Sequence, residues 1–224
     1  MPEKPTAVQP ATPWWTPAVR AVAFDLDGTL METTADSERC WRAFFAARDI
    51  ILDERTYAEV VFHRRGVDVF ADLAHLFPGQ TAAELLPQVW TSVEWVKPGP
   101  VPGARELLPA LRAAGVRLAL VTSGPDTWAR ECLVDLGLYD LFEVRVTAED
   151  VTRGKPDPEG YRLALTRLGL DPAEAFAVED SPTGVAAARG AGLRCLALTT
   201  STPAALLAAA DALLPGLHAL GLPR

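Results

Sequence analysis

The stretch AVAFDLDGTL at 21–30 runs an apolar segment into two carboxylates, Asp25 and Asp27, and then turns at Gly28. Carboxylates at the edge of a core are costly unless they are paired or have a chemical task. Three other places in the chain offer matching groups. Thr122 and Ser123 follow VRLALVT (116–122), Lys155 lies in GKPDP, and Glu179 and Asp180 end AFAVED (175–180). Together these polar residues suit a phosphoryl group. Several carboxylates meeting at one spot repel each other unless a lysine and a divalent cation neutralise them. Oxygen-only donors in small number favour Mg2+ over zinc.

The elements that must position these groups alternate in type. VRAVAF (19–24), VRLALVT, FEVRVT (142–147), AFAVED and LRCLALT (193–199) read as strands, with helical patterns between the later ones. Asp126 is expected to cap one helix. Asp157-Pro158, Asp171-Pro172 and Ser181-Pro182 each place a capping residue before an N1 proline. Strands alternating with helices predict βαβ units in an α/β fold, a Rossmann-like parallel sheet, whose reactive groups collect beyond the carboxyl ends of the strands.

Between Leu30 and Lys97 the rhythm breaks. That interval holds only helical stretches, SERCWRAFFAARDI, DVFADLAHLF and AAELLPQVWTSVEWV. The expected organisation is a Pro-rich leader at 1–18, a core of 19–31 and 97–224, and an inserted helical cap at 32–96. Trp14 and Trp15 are expected to pack on the body, and Trp41, Trp90 and Trp95 to fill the cap's small core. His63-Arg64-Arg65-Gly66 is the compact basic cluster of the cap. Either Arg64 and Arg65 reach over the site to bind an anionic substrate, or they belong to a solvated helix end. His75 and His218 have no chemical companions.

Bulk properties exclude several classes. The 224 residues are 49% apolar and 22% charged, an ordinary globular balance. A net charge of −8 argues against a nucleic-acid partner, which needs clustered Lys and Arg. Cys40, Cys132 and Cys195 are far apart with no CxxC pair, which argues against a zinc site or a disulfide framework and for a reducing cytoplasm. The leader lacks the apolar centre of a signal peptide. The Ala/Leu-rich tail is broken by Pro203, Asp211 and Pro215, so no membrane span is expected there. Oligomeric state is left open.

The motifs DLDGT at 25–29, Thr122 after its strand, Lys155 of GKPDP, and VEDSPTG at 178–184 stand in an order that resembles the haloacid dehalogenase-like hydrolase superfamily. The resemblance runs from about residue 19 onward, and the place of the insert is similar to the helical-cap branch, with its phosphoglycolate phosphatase-like and β-phosphoglucomutase-like members. It implies that Asp25 is a nucleophile forming an aspartyl-phosphate, and that Asp27 protonates the leaving oxygen and then activates water. Mg2+ is implied at Asp25, the Asp27 carbonyl, Glu179 and Asp180. Thr122 and the backbone N–H groups of Ser123 and around Gly28 would hold the phosphoryl oxygens, with Lys155 neutralising charge.

The expected function is therefore a Mg2+-dependent phosphatase acting on a small phosphorylated metabolite. Asp27 argues against carbon–halogen cleavage, whose enzymes in this family typically lack the second aspartate. A phosphomutase of the β-phosphoglucomutase kind is the main alternative, but such relatives typically carry a histidine twelve residues past the nucleophile, where this chain has Ser37. A pyrophosphatase is a further alternative among the hydrolases. A non-catalytic phosphate-binding protein would be expected to lack one of Asp25, Asp27, Lys155 or Asp180, and all four are present.

Overall fold

The computed structural model describes residues 14–94 and 98–223. Six parallel strands form one sheet: β1 (Ala21–Phe24), β2 (Arg117–Val121), β3 (Val144–Val146), β4 (Ala175–Glu179), β5 (Arg194–Leu198) and β6 (Ala212–Leu214). Their order is β3-β2-β1-β4-β5-β6, so β1 has β2 on one side and β4 on the other. The chain therefore reverses its direction of progress across the sheet at β1, and a crevice opens at such a point beyond the strand ends. This is the expected Rossmann-like α/β sheet, extended by one strand. β6 was not anticipated in the Ala/Leu-rich tail.

Side-chain alternation explains how the two faces are covered. Val22, Phe24, Leu118, Leu120, Phe176 and Val178 point to one face, beneath α5 (Ala104–Ala113) and α6 (Asp126–Leu133). Ala21, Ala23, Ala119, Ala175 and Ala177 point to the other, where α7 (Glu159–Leu168) and α8 (Pro182–Gly190) pack. Bulk on one face and alanine on the other let α7 and α8 approach the sheet closely. That approach brings the start of α8 and the side chain of Tyr161 to the strand ends.

Three of the expected caps are realised differently, and for α7 it is Pro158 that holds the N-cap place while Asp157 Oδ1, one residue earlier, accepts from Glu159 N–H at 3.0 Å. Ser181 caps α8 as predicted, its Oγ accepting from Gly184 N–H at 3.0 Å, with Pro182 at N1. Asp171 instead closes a capping box on a single 3₁₀ turn, Pro172–Glu174, that leads directly into β4. Asp126 is the first helical residue of α6 rather than its cap, a place held by Pro125.

The segment after β1 leaves through Met31 and Glu32 and returns beside itself. Glu32 N–H donates to Gly99 O at 2.9 Å, and Val101 N–H to Leu30 O at 2.8 Å. Between these points lie α1 (Thr34–Ala46), the short α2 (Glu54–Thr56) running into a π-helical turn at Tyr57–Val61, α3 (Gly66–Asp72) and α4 (Ala82–Trp90). They share their own apolar cluster, in which Trp41, Phe44, Phe45, Phe70 and Phe77 meet ring to ring. Trp41 fills this core as expected. Trp90 sits at its rim, 40% exposed, and Trp95 and Lys97 lie outside the described residues. Trp14 and Trp15 both donate their indole N–H to Leu220 O, and Trp15 meets Phe176 edge-on at 5.0 Å.

Candidate active site

The ends of β1, β2 and β4 are adjacent, and the register sets their polar residues at one level. Phe24 pairs with Leu120 and Val178, and the Asp25 N–H donates to Val178 O at 3.0 Å. Asp25 is thereby level with Glu179. Lys155 reaches in from the loop after β3. Its Nζ donates to Asp25 Oδ1 and Glu179 Oε1, both at 2.6 Å, and to Val121 O at 2.9 Å. An ammonium group has three protons to donate, and all three are used. Burial pulls the Lys155 pKa down, but the charges of Asp25 and Glu179 more than reverse this and raise it above its usual value. The lysine is held charged.

The two carboxylates that Lys155 holds belong to a cluster of three. Asp25, Glu179 and Asp180 are all buried, and each offers an oxygen within 4.8 Å of the others. Burial, opposed by Lys155 and reinforced by Glu179, Asp180 and Asp27, raises the Asp25 pKa well above its ordinary value. Burial and then Glu179 push Asp180 up to about 7, against the hydrogen bond from Ser201. The cluster is short of positive charge. An all-oxygen donor set with that deficit fits a hard divalent cation such as Mg2+.

Each member has supports that the sequence motifs do not reveal. Tyr161 OH donates to Glu179 Oε1 at 2.6 Å, beside Lys155. Ser201, from the loop after β5, donates to Asp180 Oδ2 at 2.5 Å, Thr34 donates to the same oxygen at 3.5 Å, and Thr29 to Oδ1 at 3.5 Å. Asp27 Oδ1 accepts from Thr33 Oγ1 at 2.8 Å and from Trp128 Nε1 at 3.0 Å. Trp128 reads in the sequence as an apolar helix position, and Tyr161 carries no signal there. Nothing in their spacing points to a carboxylate.

Gly28 is required on two grounds. Its φ is +81°, and a Cβ there would lie 1.9 Å from Asp180 Oδ2. Its own N–H donates to Met31 O at 2.7 Å. Thr122 Oγ1 accepts from Gly124 N–H at 3.0 Å and so shapes the turn after β2. Among the described residues the Ser123 N–H has no protein acceptor.

The basic cluster divides. Arg64 donates to Val60 O and to Asp72 at 2.6 Å. Arg65 is buried; it grips Asp68 through two nitrogens and donates to the carbonyls of Ala148, Val151 and Thr152. Both guanidiniums are therefore engaged with protein groups, contrary to the reading that aims them at substrate. His63 differs. It adopts a left-handed φ of +59°, and its carbonyl accepts from Thr183 Oγ1 at 3.2 Å. Burial lowers its pKa, with Glu179 and Asp27 opposing that and Lys155 adding to it. Of the three residues, His63 is the one that senses the crevice charges.

A carboxylate–lysine cluster at the switch point of a Rossmann-like sheet, with a helical insertion after the first strand, defines a class of α/β hydrolase. Residues 19–192 match the haloacid dehalogenase-like hydrolases. The chain belongs to that family, in its helical-cap branch, and its enzyme class is the phosphoric monoester hydrolases. It is 37% identical over 201 residues to validoxylamine A 7'-phosphate phosphatase of Streptomyces hygroscopicus subsp. limoneus, covering 88% of this chain and 94% of that one. It is 36% identical to hexitol phosphatase A of Escherichia coli, with 81% and 82% covered. The crystal structure of CbbY from Rhodobacter sphaeroides in complex with phosphate superposes with a TM-score of 0.72 at 30% identity, covering 91% and 97%. Among the described residues no helix is long and apolar enough to cross a membrane.

Proposed function

We propose that this chain is a Mg2+-dependent phosphatase that removes the phosphoryl group from a small phosphorylated sugar or polyol through an aspartyl-phosphate on Asp25. The observation that carries the reading is Lys155, set 2.6 Å from both Asp25 and Glu179 within a buried three-carboxylate cluster. The carbohydrate class rests on relatives named for a hexitol phosphate and for validoxylamine 7'-phosphate. Residues 32–96 form the cap over the crevice, and the three buried cysteines, none of them in a disulfide, suit a reducing cytoplasm.

Asp25, the Asp27 carbonyl, Glu179 and Asp180 hold Mg2+, which supplies the positive charge that lets a carboxylate approach a phosphate dianion. Thr122 and the Ser123 N–H bind the phosphoryl oxygens, and Lys155 favours the ionised form of Asp25 against its burial and screens it from the substrate. The Asp25 carboxylate attacks phosphorus while the bond to the leaving alcohol breaks, and Asp27 gives that oxygen its proton. Asp27, now a carboxylate, takes a proton from water as the water attacks phosphorus and the bond to Asp25 breaks. The products are the alcohol and inorganic phosphate, with both aspartates restored.

The test is phosphate release from a panel of sugar and polyol phosphates in Mg2+, repeated with beryllofluoride present. Turnover of at least one polyol or sugar phosphate, blocked by beryllofluoride, is expected. Turnover that beryllofluoride leaves untouched would sink the covalent route.

A further inference from the structure

Trp128 makes a contact that no part of the mechanism above uses. It lies in the first turn of α6, and its indole is half-buried against the sheet's bulky face. From there Nε1 reaches Asp27 Oδ1 at 3.0 Å, the same oxygen that accepts from Thr33 Oγ1 at 2.8 Å. The approach depends on Gly124, where a Cβ would come to 3.0 Å from the indole Cδ1. That same Cβ position is 3.8 Å from Asp27 Oδ2 and 3.4 Å from Thr122 Oγ1. Asp27 therefore turns Oδ1 toward two donors and Oδ2 toward the turn that follows β2.

The two donors are not equivalent. A threonine hydroxyl can reverse its role and accept from a protonated carboxyl oxygen, whereas an indole N–H can only donate. A proton on Oδ1 could be accepted by a reversed Thr33 hydroxyl, but it would turn Oδ1 into a carboxyl hydroxyl oxygen, a much weaker acceptor than a carbonyl oxygen, and so weaken the indole hydrogen bond. No such conflict arises on Oδ2.

We propose that Trp128 is a positioning residue for the acid–base step: it keeps the Asp27 proton off Oδ1 and on Oδ2, the oxygen beside the phosphoryl-binding turn. This rests on the reading of Asp27 as general acid and adds which oxygen carries the proton and which side chain decides it. In the first half-reaction the Oδ2–H bond breaks as the leaving alcohol's O–H bond forms. Asp27 then remains as a carboxylate whose Oδ1 is still held by the indole.

Two substrates separate this role from simple packing. A hexitol phosphate expels an alkoxide that needs a proton, whereas p-nitrophenyl phosphate expels a stabilised phenolate that does not. The quantity to measure is kcat/KM, which reports the steps up to transfer of the phosphoryl group to Asp25. Trp128→Phe is expected to lower kcat/KM for the hexitol phosphate about tenfold, part of the 10²–10⁴ that general acid–base catalysis typically contributes. For p-nitrophenyl phosphate the change should stay within about twofold, as should inhibition by inorganic phosphate. Benzothienylalanine at position 128, which keeps the bicyclic shape and lacks only the N–H, should reproduce the selective loss even if the phenylalanine variant folds poorly.

Asp27→Asn provides the control and should discriminate between the two substrates more strongly still. Equal losses on both substrates at position 128, alongside a discriminating Asp27→Asn, overturn the proposal and leave the general acid in place. An Asp27→Asn variant that loses both activities equally overturns the general-acid reading itself.

Discussion

The crevice at the strand ends and the basic loop at 63–65 make opposite use of sequence proximity. In the crevice, residues as distant as Asp25, Lys155 and Asp180 converge because β1, β2 and β4 are hydrogen-bonded neighbours that end at one level. In the loop, three consecutive residues part company. Arg64 turns to Asp72, Arg65 to Asp68 and three carbonyls, while the His63 carbonyl accepts from Thr183 at the start of α8. A strand end has one direction in which to present a side chain, set by sheet register. A loop residue goes where its nearest unsatisfied partners are.

The strongest challenge to the strand-end side is Asp25→Asn. Turnover should fall by at least ~10³, while Lys155 keeps its Glu179 partner and the thermal midpoint in chelator changes little. Measurable phosphatase activity near the wild-type level would break that side of the comparison. Asp180→Ala should follow, with the half-saturating Mg2+ concentration raised at least about tenfold and activity only partly recovered at high Mg2+. Activity of the native protein should vanish in EDTA and return with Mg2+.

The loop side is sharpened by Arg65→Ala. It leaves Asp68 and three inward carbonyls without their donor, at a cost of about 2–4 kcal/mol in urea unfolding. Arg65→Lys should recover only part, because an ammonium cannot span that fork of acceptors. The ratio of kcat/KM between charged and neutral-tailed substrates should not move. A large rise in KM for charged substrates with stability intact would return Arg65 to the crevice.

A smaller effect comes from pH. Asp180 has its folded-state pKa raised to about 7 from 3.8, so the folded protein binds more protons than the unfolded one between those values. Its contribution to stability is therefore present below pH 4 and lost as pH rises through about 7. Mg2+ relieves the deficit that remains, so its stabilising effect should be larger at pH 8 than at pH 5, where protons compete for the same carboxylate. A metal-induced shift in melting temperature independent of pH would argue against Asp180 as a ligand. Smallest of all is Arg64→Ala. Its ion pair with half-exposed Asp72 is worth about 0–1 kcal/mol, and thermal melts should detect little change.

Much of the fold is legible because it depends on local pattern. Apolar runs such as VRLALV and AFAVE, punctuated by caps such as Ser181-Pro182, announce strands and helices without knowledge of their neighbours. β6 escaped because it is three residues, Ala212–Leu214, paired along only one edge and embedded in an alanine-rich stretch with no alternation of its own. The same limit applies to the site. Three of the four motifs were readable because each closes a strand, and the fourth, GKPDP, because it marks the loop after β3. Trp128 on Asp27, Tyr161 on Glu179 and Ser201 on Asp180 were not, since each donor sits on a different element from its acceptor.

The sequence by itself determined the alternating α/β order, the helical insertion and the identity of the residues at the strand ends, because strand periodicity and end-capping are properties of a few consecutive side chains. Only the tertiary structure decided that one lysine joins two carboxylates of a buried cluster of three, that Arg65 fastens to residues 148–152, and that an indole meets Asp27. Those contacts join residues dozens of positions apart. Their geometry is set by sheet register and by how closely helices lie on alanine or on phenylalanine and leucine, which no local stretch of sequence encodes.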